Sequence, residues 1–314
     1  MRDIAVFSGS AHPDLAARIC RNLGVPLFPV RVRRFANDCI EVQLSANCRE
    51  RDVFLIQPLV PPVQENLMEL LLMLDAARGA SAARITAVLP HFAYARSDKK
   101  DAPRVSIGAR LVADLLVTAG AGRVLTMTLH SPQVHGFFSI PVDHLHARRE
   151  LAAHFTGYDL ANGVVVSPDL GNAKPAAAFA RMLGVPVAAG AKVRLSDDEV
   201  SISDVIGNVA GRDVVVLDDE IAKGTTILEL LDRLRERGTR SIRIVCTHGV
   251  FAEGVLDGLA GQPDVLEIIC TDTVPIAPDR RVDKLQILSV APALAEAMRR
   301  IHNGESVSAL FGPA

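Results

Sequence analysis

The stretch Val214-Val-Val-Leu-Asp-Asp-Glu-Ile-Ala-Lys-Gly-Thr-Thr226 sets two adjacent carboxylates, Asp218 and Asp219, at the end of an apolar run. A small-residue loop, Ala222, Lys223, Gly224, Thr225, follows and opens a helix at about Thr226. Backbone N–H groups at such a helix start, with the Thr225 and Thr226 hydroxyls, form a cradle for a phosphate group. Two neighbouring carboxylates accept hydrogen bonds from the vicinal hydroxyls of a sugar. An isolated Asp-Asp pair is also what a solvated turn with a helix cap looks like. The order strand, acid pair, Gly-Thr loop, helix favours the ligand.

Other residues invite chemistry less directly. His130 ends an apolar strand, where it is either a metal ligand or a capped structural histidine. Arg96, with Lys99 and Lys100, is either an anion site or a solvated charged face. Lys192 and Arg194, followed by Ser-Asp-Asp-Glu, read as an exposed charged loop. Phe35 lies between Arg33-Arg34 and Asn37-Asp38, a poor setting for a core residue.

The elements that hold these residues alternate along most of the chain. Strands are expected at Val53–Gln57, Ile85–Pro90, Val124–Leu129, Val164–Ser167, Val214–Leu217, Ile242–Thr247 and Leu285–Val290. Helices are expected at Asn66–Arg78, Ile107–Ala119, Ala176–Leu183, Thr226–Arg237 and Pro292–His302. Gly79, Gly120, Gly184 and Gly238 suit left-handed helix ends. Apolar strands alternating with helices predict an α/β fold with mainly parallel sheets covered by helices on both faces. So many strands require two sheets, and charged residues with histidines interrupt the pattern near Asp143–Arg149. The expected domains are residues 1–145 and 146–314. In open α/β sheets ligands sit beyond the carboxyl ends of the strands, which is where Asp218 and His130 fall.

The 314 residues are 49% apolar but only 4% aromatic, with no Trp, so the cores must be aliphatic. A formal net charge of -2 provides no basic field for nucleic acid, and phosphate must be held by local groups. The five cysteines lack C-x-x-C spacing and fit reduced thiols better than disulfides or zinc. No segment reaches the roughly 18 apolar residues of a membrane span, and the N-terminus runs into a strand without a signal-like segment. A soluble, cytoplasmic protein with no nucleic-acid or membrane partner is expected.

The Val214–Thr226 stretch resembles the phosphoribosyl pyrophosphate loop shared by type I phosphoribosyltransferases and ribose-phosphate pyrophosphokinases. Further motifs select the pyrophosphokinases. Arg34-Phe-Ala-Asn-Asp-Cys-Ile-Glu41 and Pro90-His-Phe-Ala-Tyr-Ala-Arg-Ser-Asp-Lys-Lys100 resemble that family's two ATP-site segments. Leu129-His-Ser-Pro-Gln-Val-His-Gly-Phe-Phe138, with Pro141-Val-Asp143, resembles its signature. Ser167-Pro-Asp169 and Ile206-Gly-Asn-Val-Ala-Gly-Arg212 fall at family-like spacings, so the resemblance spans nearly the whole chain.

The resemblance implies two tandem type I phosphoribosyltransferase-like domains in a hexamer, using ATP and ribose 5-phosphate with Mg²⁺. It implies ATP contacts from Phe35, Asn37, Asp38, Cys39, Arg96 and Ser97, with Phe35 stacking on adenine. It implies metal ligation by His130 and Asp169, and catalysis by Lys192 and Arg194 on a mobile flap. Asp218 and Asp219 would hold the sugar, and Ala222, Lys223, Gly224, Thr225 and Thr226 the 5-phosphate.

The chain departs from the family pattern at several points. Thr128 stands where an acidic residue is usual, Asn37 and Cys39 likewise, and Ala222-Lys223 replace an acid and a Thr. Gly171-Asn-Ala-Lys174 with Pro175 replaces a Gly-Gly-Val-Val-Arg run. Two alternatives therefore stay open: a non-catalytic regulatory paralogue, and a pyrophosphokinase for another sugar phosphate.

Overall fold

The computed structural model describes residues 3–194 and 200–310; the side chains of 192–194, 200, 201 and 309 also lie outside the description. Two compact units are present, one of 1–146 with 273–275 and 289–314, the other of 147–272 with 276–288.

The first unit opens with β1 (Ile4–Ser8), α1 (Pro13–Leu23), β2 (Leu27–Phe28), β3 (Val30–Arg34), β4 (Ile40–Leu44) and β5 (Asp52–Ile56). It continues with α2 (Val63–Gly79), β6 (Arg84–Leu89), α3 (Gly108–Ala119), β7 (Arg123–Met127) and β8 (Val142–Leu145). Its sheet runs β2-β1-β5-β6-β7-β8 with every pairing parallel, and β3 with β4 forms a separate antiparallel hairpin. The five residues of β5 are all buried, as befits a parallel strand covered on both faces.

The second unit holds α4 (Arg148–His154), β9 (Gly163–Ser167), α5 (Ala173–Leu183), β10 (Val187–Arg194), β11 (Val200–Ile206) and β12 (Asp213–Ile221). It ends with α6 (Thr225–Glu236), β13 (Ser241–Gly249), α7 (Val255–Ala260), β14 (Val265–Thr271) and β15 (Leu285–Leu288). Its sheet order is β11-β10-β9-β12-β13-β14-β15, parallel except where β11 turns back on β10. Val164, Val166, Val214, Val216, Ile242 and Ile244 make an aliphatic core with Leu230, Leu231 and Leu234 of α6. The α/β class with mainly parallel, helix-flanked sheets is what the apolar runs predict.

The last helix, α8 (Ala291–Asn303), belongs to the first unit, so the units are not the consecutive halves 1–145 and 146–314. The reason is polar as well as apolar. Arg84 donates to the carbonyl oxygens of Ile301 (3.3 Å) and His302 (2.8 Å) in the last turn of α8, where the Gly304 N–H also caps Ile301. Arg84 also pairs with the fully buried Asp52, whose carboxylate meets His302 Nδ1 at 2.9 Å. Gly184 ends α5 at φ +69° as expected, whereas Gly79 is the last residue of α2 and Ala80 caps it at φ -80°.

Both sheets have a switch point where the chain changes direction of strand addition, β1/β5 in the first unit and β9/β12 in the second. Such points form crevices at the carboxyl ends of the strands. In the first unit its own side chains occupy the crevice. Buried Glu69 accepts from the Ser10 N–H (2.7 Å) and the Ser10 hydroxyl, and buried Gln57 accepts from Ala11 N–H (3.1 Å). The second unit's switch point carries Asp169 after β9 and Asp218-Asp219 on β12.

Candidate active site

The apolar run at Val214 continues as a strand through the acid pair to Ile221, four residues beyond the expected end. The extra length comes from pairing with β13 at Glu220↔His248 and Ile221↔Gly249, and from Ala252 N–H donating to the Ala222 carbonyl (2.9 Å). Asp218, Asp219 and Glu220 are half-buried on this strand rather than in a loop. Asp218 is held well above the usual carboxylate range, first by desolvation, then by the charge of Asp219 and a hydrogen bond with it, and further by Asp169. The Asp219 N–H donates to Asp218 Oδ1 (2.9 Å) and opposes the rise without cancelling it.

Asp169 is drawn in by its own loop. Its Oδ1 accepts from the Asn172 N–H (3.0 Å), and the Asn172 side-chain amide donates to the carbonyl of Leu217 (3.2 Å). Asn172 thus ties the Asp169 turn to the strand that carries Asp218. The sequence reading did not single it out; the signal available was Asn standing in place of a family glycine.

After Ile221 the chain turns through half-buried Ala222 and exposed Lys223 into buried Gly224 at φ +72°. A Cβ here would lie 2.6 Å from Val255 Cγ1, so both the backbone conformation and the space exclude other residues. α6 begins at Thr225 with no side-chain cap, leaving first-turn N–H groups to be met by water or a ligand. Asp169, Asp218, Asp219 and Ala222–Thr226 therefore gather at one end of one sheet.

Lys192 and Arg194 lie on β10, with Lys192 opposite Ile202 on β11. Their side chains lie outside the described residues, as do residues 195–199.

In the first unit the Phe35–Cys39 turn closes the β3–β4 hairpin. Phe35 N–H donates to the Cys39 carbonyl (2.8 Å), Asp38 takes φ +69°, and Asn37 Oδ1 accepts from Cys39 N–H (3.3 Å). Arg34 pairs with Asp38 and Glu65, which braces the tip. Phe35 is 40% exposed, with the Arg33 guanidinium 5.1 Å from its ring centre. An apolar ring held out on a braced polar turn suits stacking against a flat ligand.

Arg96 is exposed on the short turn Ala93–Arg96 that follows β6. Ser97 spends its hydroxyl on α3, accepting from Gly108 N–H (2.9 Å). Exposed His130 follows β7, on a turn held by Thr128 N–H to the Leu145 carbonyl (2.8 Å) and Leu129 N–H to His144 Nε2 (2.8 Å). Thr128 itself sits at φ +43°.

Among the described residues no three His, Cys, Asp or Glu converge as a metal cage. The half-buried carboxyls of Asp169 and Asp218, close enough that the charge of Asp169 raises the proton affinity of Asp218, nonetheless suit a hard cation that takes its remaining ligands from phosphate and water. The five cysteines are unpaired, four of them buried, and burial pushes the Cys270 thiol up to about 12.

Residues 4–120 match the model of the N-terminal domain of ribose phosphate pyrophosphokinase, and residues 198–312 that of the phosphoribosyl synthetase-associated domain. The chain is 78% identical over 311 residues to a provisionally named ribose-phosphate pyrophosphokinase of Streptomyces coelicolor, covering 99% of this chain and 98% of the relative. It is 48% identical over 313 residues to the ribose-phosphate pyrophosphokinase of Deinococcus radiodurans, covering 98% of each. The chain belongs to the ribose-phosphate pyrophosphokinase family. The crystal structure of phosphoribosylpyrophosphate synthetase from Mycobacterium smegmatis superposes with a TM-score of 0.91 at 40% identity, over 96% of this chain and 100% of that one.

As a pyrophosphokinase of this family the chain is an enzyme, and its departures from the family pattern acquire places. Asn172 and Lys174 fall on the Asp169 turn and the start of α5, Ala222 and Lys223 on the loop before α6, and Thr128 two residues before His130. Pro175 lies in the first turn of α5, where a missing N–H costs nothing. Among the described residues no helix is long and apolar enough to cross a membrane.

Proposed function

We propose that the chain transfers the β,γ-pyrophosphoryl group of Mg-ATP to O1 of ribose 5-phosphate, giving phosphoribosyl pyrophosphate and AMP. The observation that carries this reading is the β9/β12 switch point, where a carboxyl pair stands beside an uncapped helix N-terminus. A sugar with a phosphate at one end and vicinal hydroxyls at the other matches that pairing of groups. The Ala222–Thr226 turn would receive the 5-phosphate on the first N–H groups of α6, with Lys223 adding a cation. Asp218 and Asp219 would meet the hydroxyls, two neighbouring carboxyls on one strand facing two vicinal oxygens.

The O1 hydroxyl attacks the β-phosphorus, the bond from that phosphorus to the α-bridging oxygen breaks, and AMP leaves. Alignment and charge neutralisation dominate such transfers, since little covalent chemistry falls to the protein. Lys192 and Arg194 would stabilise charge on the transferring oxygens, with Arg96 on the triphosphate and Ser97 beside it. Phe35 would stack on adenine, with Asn37, Asp38 and Cys39 around the nucleoside, in a hexamer where a neighbouring subunit supplies this turn. His130 and Asp169 would hold Mg²⁺, which when bound neutralises phosphate oxygens and polarises the phosphorus.

Ribose 5-phosphate carrying ¹⁸O at O1 tests the route. The label is expected in the oxygen that joins C1 to the pyrophosphoryl group, read by mass and by ³¹P shift. Product without the label, formed while the unreacted sugar phosphate still carries it at O1, would mean that the C1–O1 bond breaks and would contradict attack by O1. A regulatory paralogue is the second reading, favoured by Thr128 where a carboxylate is usual; it predicts ribose 5-phosphate binding without any labelled product.

A further inference from the structure

β11 is the edge strand of the second sheet, and an edge presents unpaired N–H and carbonyl groups. At Ile202 both are captured by α6. Glu229 Oε2 accepts from the Ile202 N–H (3.2 Å), and Arg233 Nε donates to the Ile202 carbonyl (3.1 Å). Glu229 and Arg233 are four residues apart and so share one face of the helix. Two strand residues further, Arg237 pairs with Asp204.

Ile202 is the register partner of Lys192, and the ladder slips just before that pair. Ala191 faces Asp204 while Lys192 faces Ile202, leaving Ser203 as an extra residue on β11. The Ser203 hydroxyl donates to the Ala191 carbonyl (3.1 Å) and so ties the bulge together. Bulges beside active sites set where the neighbouring backbone goes. The clamp at Ile202 and the bulge at Ser203 thus bracket the Lys192 backbone from the opposite strand.

α6 is also the helix whose first turn forms the phosphate cradle, and Glu229 lies about one turn beyond Thr225. We infer that Glu229 and Arg233 are positioning residues that hold the backbone at Lys192 in fixed relation to the ribose 5-phosphate cradle through their shared grip on Ile202. This rests on the proposed function, since it presumes that Lys192 acts in the transfer. Covering an exposed edge would by itself explain the two hydrogen bonds; acting through Lys192 makes a further demand.

A double-mutant cycle makes that demand measurable, with wild-type turnover as the separate test of the proposed function. Glu229→Ala is expected to lower kcat by about ten- to a hundredfold while changing the ribose 5-phosphate dissociation constant less than about threefold. Glu229→Gln keeps an oxygen acceptor for Ile202 and should restore most of the rate. In a Lys192→Ala background, Glu229→Ala should cost less than about twofold further, because the residue it positions is gone. If Glu229→Ala fails to fold, Arg233→Ala removes the other half of the grip and carries the same expectations. An equal loss in both backgrounds, or a loss of ribose 5-phosphate binding that matches the loss of rate, would overturn the inference. A wild-type protein with no ribose-dependent AMP release would instead remove the proposed function and the purpose of the clamp with it.

Discussion

Asp169, Asp218 and Asp219 bring three carboxyls into one electrostatic field, and Asp218 is held well above its ordinary range by desolvation and by its neighbours. Holding a carboxyl there costs stability wherever the unfolded chain would ionise it. The folded value is raised, so the favourable contribution is complete below the ordinary carboxylate range near 3.8 and is lost as pH rises through the folded value. Asp218→Asn should therefore raise Tm at neutral pH, with the gain vanishing in acid, while weakening ribose 5-phosphate binding. Thermal melts across pH check the first half and calorimetry the second; a Tm that falls at neutral pH would contradict the reading. Thr128 is under strain of another kind, a β-branched side chain at φ +43°. Asp tolerates that region better, so Thr128→Asp should recover a fraction of the roughly 1–2 kcal/mol that left-handed backbone costs. The restored carboxylate should also lower the Mg²⁺ concentration needed for half-maximal rate. An unchanged metal titration would remove the His130 turn from the cation site.

Elements succeed or fail as cradles by where they begin. α6 starts where Gly224 allows the chain to turn at φ +72° against Val255. Gly224→Ala should cost stability by about 1–2 kcal/mol in backbone strain, beyond the overlap with Val255, and should abolish detectable ribose 5-phosphate binding. Retained binding would place the phosphate elsewhere. The strand–acid pair–Gly-Thr order made the turn at Gly224 and the α6 start legible in the sequence, because residue type and spacing are themselves the signal. The length of β12 was not legible: Glu220 and Ile221 are strand because His248 and Gly249 pair with them, a partnership that sequence periodicity does not carry. The β3–β4 hairpin, with its charged run Arg31, Arg33 and Arg34, lacks the apolar signal that reveals a buried strand. The grip of Glu229 and Arg233 on Ile202 was hidden for a similar reason, since an acid and a base four apart on a helix read as an ordinary surface pair.

At the scale of the whole molecule, the first unit is completed by the last helix of the chain. Helical periodicity predicts α8 well but cannot say which sheet it covers. The deciding residues are Asp52, buried at the start of β5, and Arg84, which joins it to the carbonyl end of α8. Arg84→Ala leaves Asp52 without its guanidinium partner and α8 without two donors, so unfolding free energy should fall by about 3 kcal/mol in denaturant titrations. A loss within about 0.5 kcal/mol would mean that apolar packing alone holds α8 in place. The two switch points also divide the work. The first unit sets Glu69 and Gln57 against the loop after β1, while the second leaves the α6 start without a side-chain cap.

The most direct test is AMP release from Mg-ATP with and without ribose 5-phosphate, with the second product identified by mass. AMP formed only when the sugar phosphate is present, matched one for one by phosphoribosyl pyrophosphate, is the predicted result. Folded protein that binds ribose 5-phosphate yet releases no AMP would contradict pyrophosphoryl transfer by this chain.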